Sequence, residues 1–235
     1  MSGLIRPGDP RFTGRGAPQP VDPRPIVAVL LPTRDQVHAD FMMSLISMLW
    51  HANSYARTMV LNFKGSSISH QRNRLVEMAF EAPAPADYAL FVDSDMTFPM
   101  EALGHLLKSG RSIVGATYAR REEPFDALGR LKHVPGRDLA AGGLHEAEAL
   151  PGGFLLVEMS VFRQLKRPWF FETYDYDQTP PFVSEDYGFC RKARAAGVTL
   201  WCDLNLSTHM GHIGQHAVRF PPLRAGAPTA EPAHG

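Results

Sequence analysis

A chain of 235 residues, of which 44% are hydrophobic and 10% aromatic, is long enough to bury one good core. Its 24 Lys and Arg balance 24 Asp and Glu, so charge makes no case for nucleic acid or an acidic membrane surface as partner. The two cysteines, Cys190 and Cys202, sit far apart and outside any CxxC, which favours free core thiols in a reduced, cytoplasmic setting over a disulfide or a zinc site. No apolar run reaches the length of a transmembrane segment or makes a signal core.

Residues 1–24 are rich in Pro, Gly and Arg, and are expected to form a disordered tail; residues 221–235 read as a second one, leaving 25–220 as a single domain. Ile26–Leu31 is a continuous apolar run bounded by Pro32, which predicts a central strand of parallel type. At its carboxyl end Thr33 and Arg34 could bind a nucleotide or its phosphates, or simply follow a proline-led turn. Phe41, Leu45, Met48, Leu49 and Ala52 then recur at helical spacing. Met59–Phe63 predicts a second strand, and Gly65-Ser66-Ser67 a turn and helix cap. The helix that follows buries Ile68, Leu75, Val76, Ala79 and Phe80. It carries Arg72, Asn73 and Arg74 in its first half, where cations oppose the usual dipole preference. An anionic ligand would explain them, as would a solvated polar face.

Tyr88–Val92 predicts the third strand, and it runs straight into Asp93-Ser94-Asp95. In extended chain alternate residues share a face, so the two carboxylates can point together. Their repulsion would be relieved by a divalent cation, and oxygen ligands that leave open positions suit Mg²⁺ or Mn²⁺ shared with phosphates. Exposed turn acids are the plain alternative. Pro99 suits the first position of a helix that buries Leu103, Leu106 and Leu107 and ends at Gly110. Ile113–Thr117 predicts a fourth strand. This alternation argues for an α/β fold, a parallel sheet flanked by helices on both sides.

From Glu122 to Leu150 the pattern dissolves, and a long functional or mobile loop is expected. Pro151-Gly152-Gly153 reads as a tight turn feeding a strand over Phe154–Val157. Residues 167–190 are dense in aromatic side chains mixed with prolines and acids, which suits either stacking of a sugar-like substrate or packing over the sheet. Ser184 is expected to cap a helix ending at Gly197, with Glu185 and Asp186 in its first turn. Capping alone would explain those acids, and one could instead be a general base. After a last strand over Val198–Asp203 come His209, His212 and His216, any of which could complete the coordination of an ion held by Asp95.

Taken in order, Pro32-Thr-Arg34, Gln71-Arg-Asn73, Phe91-Val-Asp-Ser-Asp95, Gly152-Gly-Phe-Leu-Leu156, Ser184-Glu-Asp-Tyr-Gly-Phe-Cys-Arg191 and Gly211-His-Ile-Gly214 resemble the small bacterial and phage glycosyltransferases of family 2 type. The likeness covers about residues 25 to 216. It implies a GT-A, Rossmann-like fold, a nucleotide-sugar donor, a glycan or other hydroxyl acceptor, and Mn²⁺ or Mg²⁺ as cofactor. By resemblance, Asp93, Ser94 and Asp95 would meet ribose and metal, with His212 as the further ligand and His209 as the competing choice. Pro32, Thr33, Arg34, Arg72 and Asn73 would line the nucleotide pocket. Asp186 would deprotonate the acceptor in an inverting transfer, beside Glu185 contacting the acceptor, and the loop from Glu122 would close over the donor.

Rival readings start from the same residues. Asp93-Ser-Asp-Met-Thr97 also spells the D-x-D-x-T of haloacid-dehalogenase-type phosphatases, with Asp93 as nucleophile. That motif normally follows the first strand of its domain, whereas here two strands and two helices precede it. A nucleotidyltransferase would need a glycine-rich opening loop and a lysine after Leu31, and neither is present. A non-catalytic sugar-nucleotide-binding protein would need the acids only as helix caps.

Overall fold

The structure, a computed structural model, describes residues 22–121, 125–136, 138–177, 179, 181–214 and 217–219. Nearly all of both expected tails, and His216, lie outside the described residues.

The chain opens with β1 (Ile26–Thr33), buried from Val27 onward, followed by α1 (Ala39–Ala52), β2 (Arg57–Lys64) and α2 (Ile68–Glu81). β1 is buried on both faces because it sits inside the sheet, and its apolar run is continuous for that reason. β2 is an edge strand and is only half-buried. Ser67 caps α2 by accepting the His70 N–H at 3.3 Å. Next come β3 (Tyr88–Val92), β4 (Met96–Thr97), α3 (Ala102–Lys108) and β5 (Ile113–Gly115). α3 starts later than expected, because Pro99 belongs to the preceding turn and its carbonyl accepts the Ala102 N–H at 3.1 Å.

The segment expected to be a loop contains β6 (Arg130–Leu131) and β7 (Leu144–Ala149). The remaining elements are β8 (Phe154–Glu158), α4 (Met159–Gln164), β9 (Thr173–Tyr174), β10 (Phe182–Val183), α5 (Glu185–Ala195), β11 (Leu200–Asp203), α6 (Leu204–Ser207), β12 (Gly211–Ile213) and β13 (Ala217–Arg219).

One eight-stranded sheet runs in the order β2-β1-β3-β8-β5-β11-β7-β6. It is mostly parallel, with β8 and β7 running against the rest. Alternate residues of β1 serve two cores. Val27 and Val29 face Phe41, Met48 and Leu103 of α1 and α3, while Ala28 and Leu30 face Leu75, Val76 and Phe189 of α2 and α5. Helices therefore cover both faces, as the strand–helix alternation predicts. Among the described residues no helix is long and apolar enough to cross a membrane.

Three rings of the aromatic segment, Trp169, Phe170 and Phe189, are core. The Phe170 ring stacks on Phe189 with centroids 4.7 Å apart and packs edge-on to Phe91 at 4.9 Å, and buried Trp169 donates its indole N–H to the Phe162 carbonyl at 2.8 Å. Tyr174, Tyr176 and Phe182, on and beside the β9–β10 hairpin, stay exposed.

Candidate active site

Inserting β8 antiparallel to β3 brings the end of one strand to the start of the other, with Val92 opposite Phe154. The Asp93-Ser94-Asp95 turn therefore lies against Gly152-Gly153, and the Asp93 N–H bonds the Gly153 carbonyl at 3.0 Å. Arg72 reaches this junction from α2. Its guanidinium, 2% exposed, donates to both Asp93 oxygens (3.0 and 3.1 Å), to Glu185 Oε1 (3.1 Å) and to the Gly152 carbonyl (3.0 Å). A planar fork of donors suits that many simultaneous acceptors, which a lysine could not serve.

Burial works against the Arg72 charge, yet Asp93 and Glu185 outweigh it and hold its pKa above the ordinary value. Burial likewise raises the pKa of Asp93 and of Glu185, with Arg72 opposing the rise in both cases. The paired glycines are required by this crowding. A Cβ on Gly152 would lie 2.7 Å from the guanidinium carbon, and one on Gly153 would collide with the Tyr118 hydroxyl. That hydroxyl accepts the Gly153 N–H at 2.9 Å.

Asp186 stands in the first turn of α5, where a carboxylate is favoured by the helix dipole. Its Oδ2 accepts the Gly152 N–H at 3.0 Å, and its Oδ1 accepts the Tyr187 N–H at 2.8 Å and the Ser184 hydroxyl. Ser184 thus occupies the cap position as expected but spends its hydroxyl on Asp186 and makes no side-chain capping bond. Glu185 is buried against Arg72, whereas Asp186 is half-buried.

Asp95 belongs to a second, three-stranded sheet. β4 pairs with β12, placing His212 opposite Met96, and the Ile213 N–H bonds the Asp95 carbonyl at 2.7 Å. His212 Nε2 lies 3.6 Å from Asp95 Oδ2, and Nδ1 lies 3.0 Å from the Ala119 carbonyl. That carbonyl can only accept, so Nδ1 carries a proton and Nε2 is the ring nitrogen turned toward Asp95. Arg121 also donates to Asp95 Oδ2 at 2.8 Å. Burial disfavours the Asp95 charge, but His212 and Arg121 together overcome it and keep the carboxyl below its usual range.

One carboxylate and one imidazole, held by a small sheet and oriented from behind, fit a cation that takes its remaining positions from phosphate or water. Among the described residues no group of three or more His, Cys, Asp or Glu side chains forms a closed metal cage.

Asp93, Asp95, Glu185, Asp186, Arg72 and His212 all line one cleft of about 600 Å³. Ser94 is half-buried in the turn between the two aspartates. Arg34 lines a different hollow of about 490 Å³ at the carboxyl ends of β1 and β2, together with Asp35, Lys64 and Ser66. Pro32 and Thr33 are buried just before it, and Thr33 Oγ1 accepts from Asn62 at 2.6 Å. Asn73 lines neither space; it bonds the backbone at Ser69, Trp169 and Phe170 and fixes the aromatic segment to α2. His209 is exposed at the end of α6 and does not line the cleft.

Sequence reasoning passed over Tyr118, Arg121, Arg130 and Arg194, which also line the cleft. Tyr118-Ala-Arg-Arg121 directly follows the β5 run, and basic residues at a strand's carboxyl end were a legible signal. Arg130 gave none, because β6 was not recognised, and Arg194 sits in the last turn of α5, where a cation is expected from the helix dipole alone.

No protein-family model and no curated protein matches the chain. Solved structures do. The protein A197 from STIV superposes with a TM-score of 0.54 at 15% identity, over 88% of this chain and 98% of that one. The catalytic domain of Drosophila β1,4-galactosyltransferase 7, solved with xylobiose, gives 0.50 at 17% over 80% and 71%. GalNAc-T7, solved with UDP, GalNAc and Mn²⁺, gives 0.51 at 11% over 88% of this chain and 46% of that protein, so the chain spans less than half its length. The chain has a GT-A fold. In this GT-A sheet the cleft opens beyond the carboxyl end of β3, where open α/β sheets bind their ligands.

Proposed function

We propose that the chain is a glycosyltransferase that moves a sugar from a nucleoside-diphosphate sugar to an acceptor hydroxyl. The observation that carries this reading is the sharing of a single cleft by Asp95 with His212 and by Asp186, which gives one space a cation-binding pair and a positioned carboxylate. The solved GT-A structures support it: GalNAc-T7 was solved with UDP, GalNAc and Mn²⁺, and the galactosyltransferase with a disaccharide.

A divalent cation bound by Asp95 and His212 would supply positive charge to the leaving diphosphate. Asp186 acts as general base. The acceptor oxygen bonds to the anomeric carbon, and the carbon–oxygen bond to phosphate breaks with its electron pair leaving on the nucleoside diphosphate. The hydroxyl proton passes to the Asp186 carboxylate. Gly152 N–H and Ser184 hold that carboxylate in one orientation, so little reorganisation is needed on reaction. Arg72 sets its charge against Asp93 and Glu185 at the edge of the cleft and opposes the rise that burial gives their pKa values.

The phosphatase reading fits less well. A nucleophilic Asp93 would have to attack while ion-paired to buried Arg72, which draws charge from both of its oxygens, whereas Asp186 is held by neutral donors.

Thermal-shift screening against UDP, GDP, CMP and their sugars, with and without Mn²⁺, tests the proposal. Stabilisation by a nucleoside diphosphate only with metal, lost in Asp95→Asn and in His212→Ala, is expected. Equal stabilisation by simple phosphate monoesters would overturn it. Asp186→Asn should keep that binding while lowering turnover by at least roughly a hundredfold. Unchanged turnover removes Asp186 as base and favours a protein that only binds sugar nucleotides.

A further inference from the structure

Two pairs of exposed arginines line the cleft, Arg120 with Arg121 and Arg130 with Arg194, and a donor diphosphate needs only one of them. Arg120 and Arg121 belong to the strip whose Ala119 carbonyl bonds His212, so they border the Asp95 side. Arg130 and Arg194 border α5: Arg194 lies on that helix and the residue before Arg130 bonds its Tyr187. Arg130 lies on β6 with its backbone opposite Ala149, and Arg194 Nη1 reaches the carbonyl of the adjacent Glu148 at 3.4 Å. The end of β7 thus gathers both side chains.

The same wall is tied to the base. The Gly129 N–H, next to Arg130, bonds the Tyr187 hydroxyl at 2.8 Å, and Tyr187 follows Asp186. On α5 the cleft-lining residues Tyr187, Arg191 and Arg194 recur at i, i+4 and i+7, so a row of cations leads outward from Asp186. Arg191 is neutralised by Asp175 at 2.9 Å. Arg130 and Arg194 are both exposed, and neither forms a salt bridge with a carboxylate among the described residues.

We infer that the acceptor is an anionic sugar, bearing a carboxylate or phosphate that Arg130 and Arg194 bind while its hydroxyl faces Asp186. This inference rests on the glycosyltransferase reading and names the substrate class of the same site. A guanidinium pair matches the geometry of either oxyanion, and this pair is tied to the helix that carries Asp186, whereas Arg121 is the arginine bonded to Asp95.

The test uses the full chain with Mn²⁺ and whichever nucleoside diphosphate gives the metal-dependent thermal shift. Three probes are titrated calorimetrically: a uronic-acid-containing disaccharide, a hexose phosphate, and a neutral disaccharide of the same linkage as the first. At least one anionic probe should bind roughly tenfold or more tighter than the neutral one, the contribution of one charge-assisted hydrogen bond. The Arg130→Gln/Arg194→Gln double variant should bring it to the level of the neutral probe while the nucleotide shift persists. Arg194→Lys should retain part of the preference.

Equal binding of neutral and anionic probes, or binding of neither, overturns the inference with the glycosyltransferase reading intact. Loss of the nucleotide shift in the double variant assigns these arginines to the donor and overturns it too. Absence of any nucleotide shift in the unaltered protein removes the glycosyltransferase reading, and this inference with it. Comparing the carboxylate and phosphate probes says which oxyanion is taken.

Discussion

Replacing Arg72 with methionine would leave Asp93 and Glu185 buried near each other without their counter-charge. Loss of one partner from a buried ionic group costs about 3–5 kcal/mol, so Arg72→Met should lower the unfolding free energy measured in urea by that amount. Arg72→Lys should recover little, because one ammonium cannot reach both carboxylates and the Gly152 carbonyl. The buried thiols give a second expectation. Burial pushes Cys190 and Cys202 up to about 12 from the ordinary value of 9.0. Folding therefore favours their protonated forms: the stability is fully present below pH 9 and is lost as pH rises toward 12. Equilibrium unfolding across that window should show the loss, and Cys202→Ala should flatten it. At this scale the sequence was partly legible. Asp93, Asp95, His212, Glu185 and Asp186 line one cleft, each found from a short local pattern. Arg72 was read as a cation facing either an anionic ligand or solvent, yet the chain itself supplies two anions from positions far along the sequence. No local pattern carries that.

β7 shows why one element was missed. Leu144-His-Glu-Ala-Glu-Ala149 alternates, with His145, Ala147 and Ala149 buried and the others half-buried. The period of two was there, but alanine and histidine are weak strand formers, and the buried face reads as polar or small. β8 was found, although its direction was not, because a strand buried on both faces looks alike in either sense. The first three strands were easier, since β1, β2 and β3 are parallel neighbours joined by helices that show clear apolar faces. Ala147 is paired on both sides, with Leu200 and Leu131. Ala147→Pro should break that ladder. Hydrogen exchange should then accelerate in β6 and β7 while β1 and β3 stay protected. If the arginine on β6 binds acceptor, this variant loses acceptor affinity before it loses the metal-dependent shift with nucleotide.

For the whole molecule, an even charge balance conceals a concentrated one. Net charge is +0, yet the cleft mouth carries exposed Arg120, Arg121, Arg130 and Arg194. Nucleoside diphosphate affinity, measured with Mn²⁺ held constant, should fall several-fold between low salt and about 0.5 M, as expected for partly exposed charges screened by ions. Affinity that ignores salt would place the diphosphate away from Arg120 and Arg121, the two that border Asp95. The GT-A architecture explains how a neutral chain can do this: parallel strands end together, so the turns that follow β3 and β5 converge on one edge of the sheet.

Arg72 joins chain segments 21, 80 and 113 residues distant from it, in the turn after β3, the glycine turn before β8 and the start of α5. Contacts of such range close large loops and form only once most of the polypeptide is already in place. Ligand-binding competence should accordingly return last during refolding, after helical content and burial of Trp169 have recovered, and a proteolytic cut anywhere between α2 and α5 should silence the cleft even where the fragments stay together.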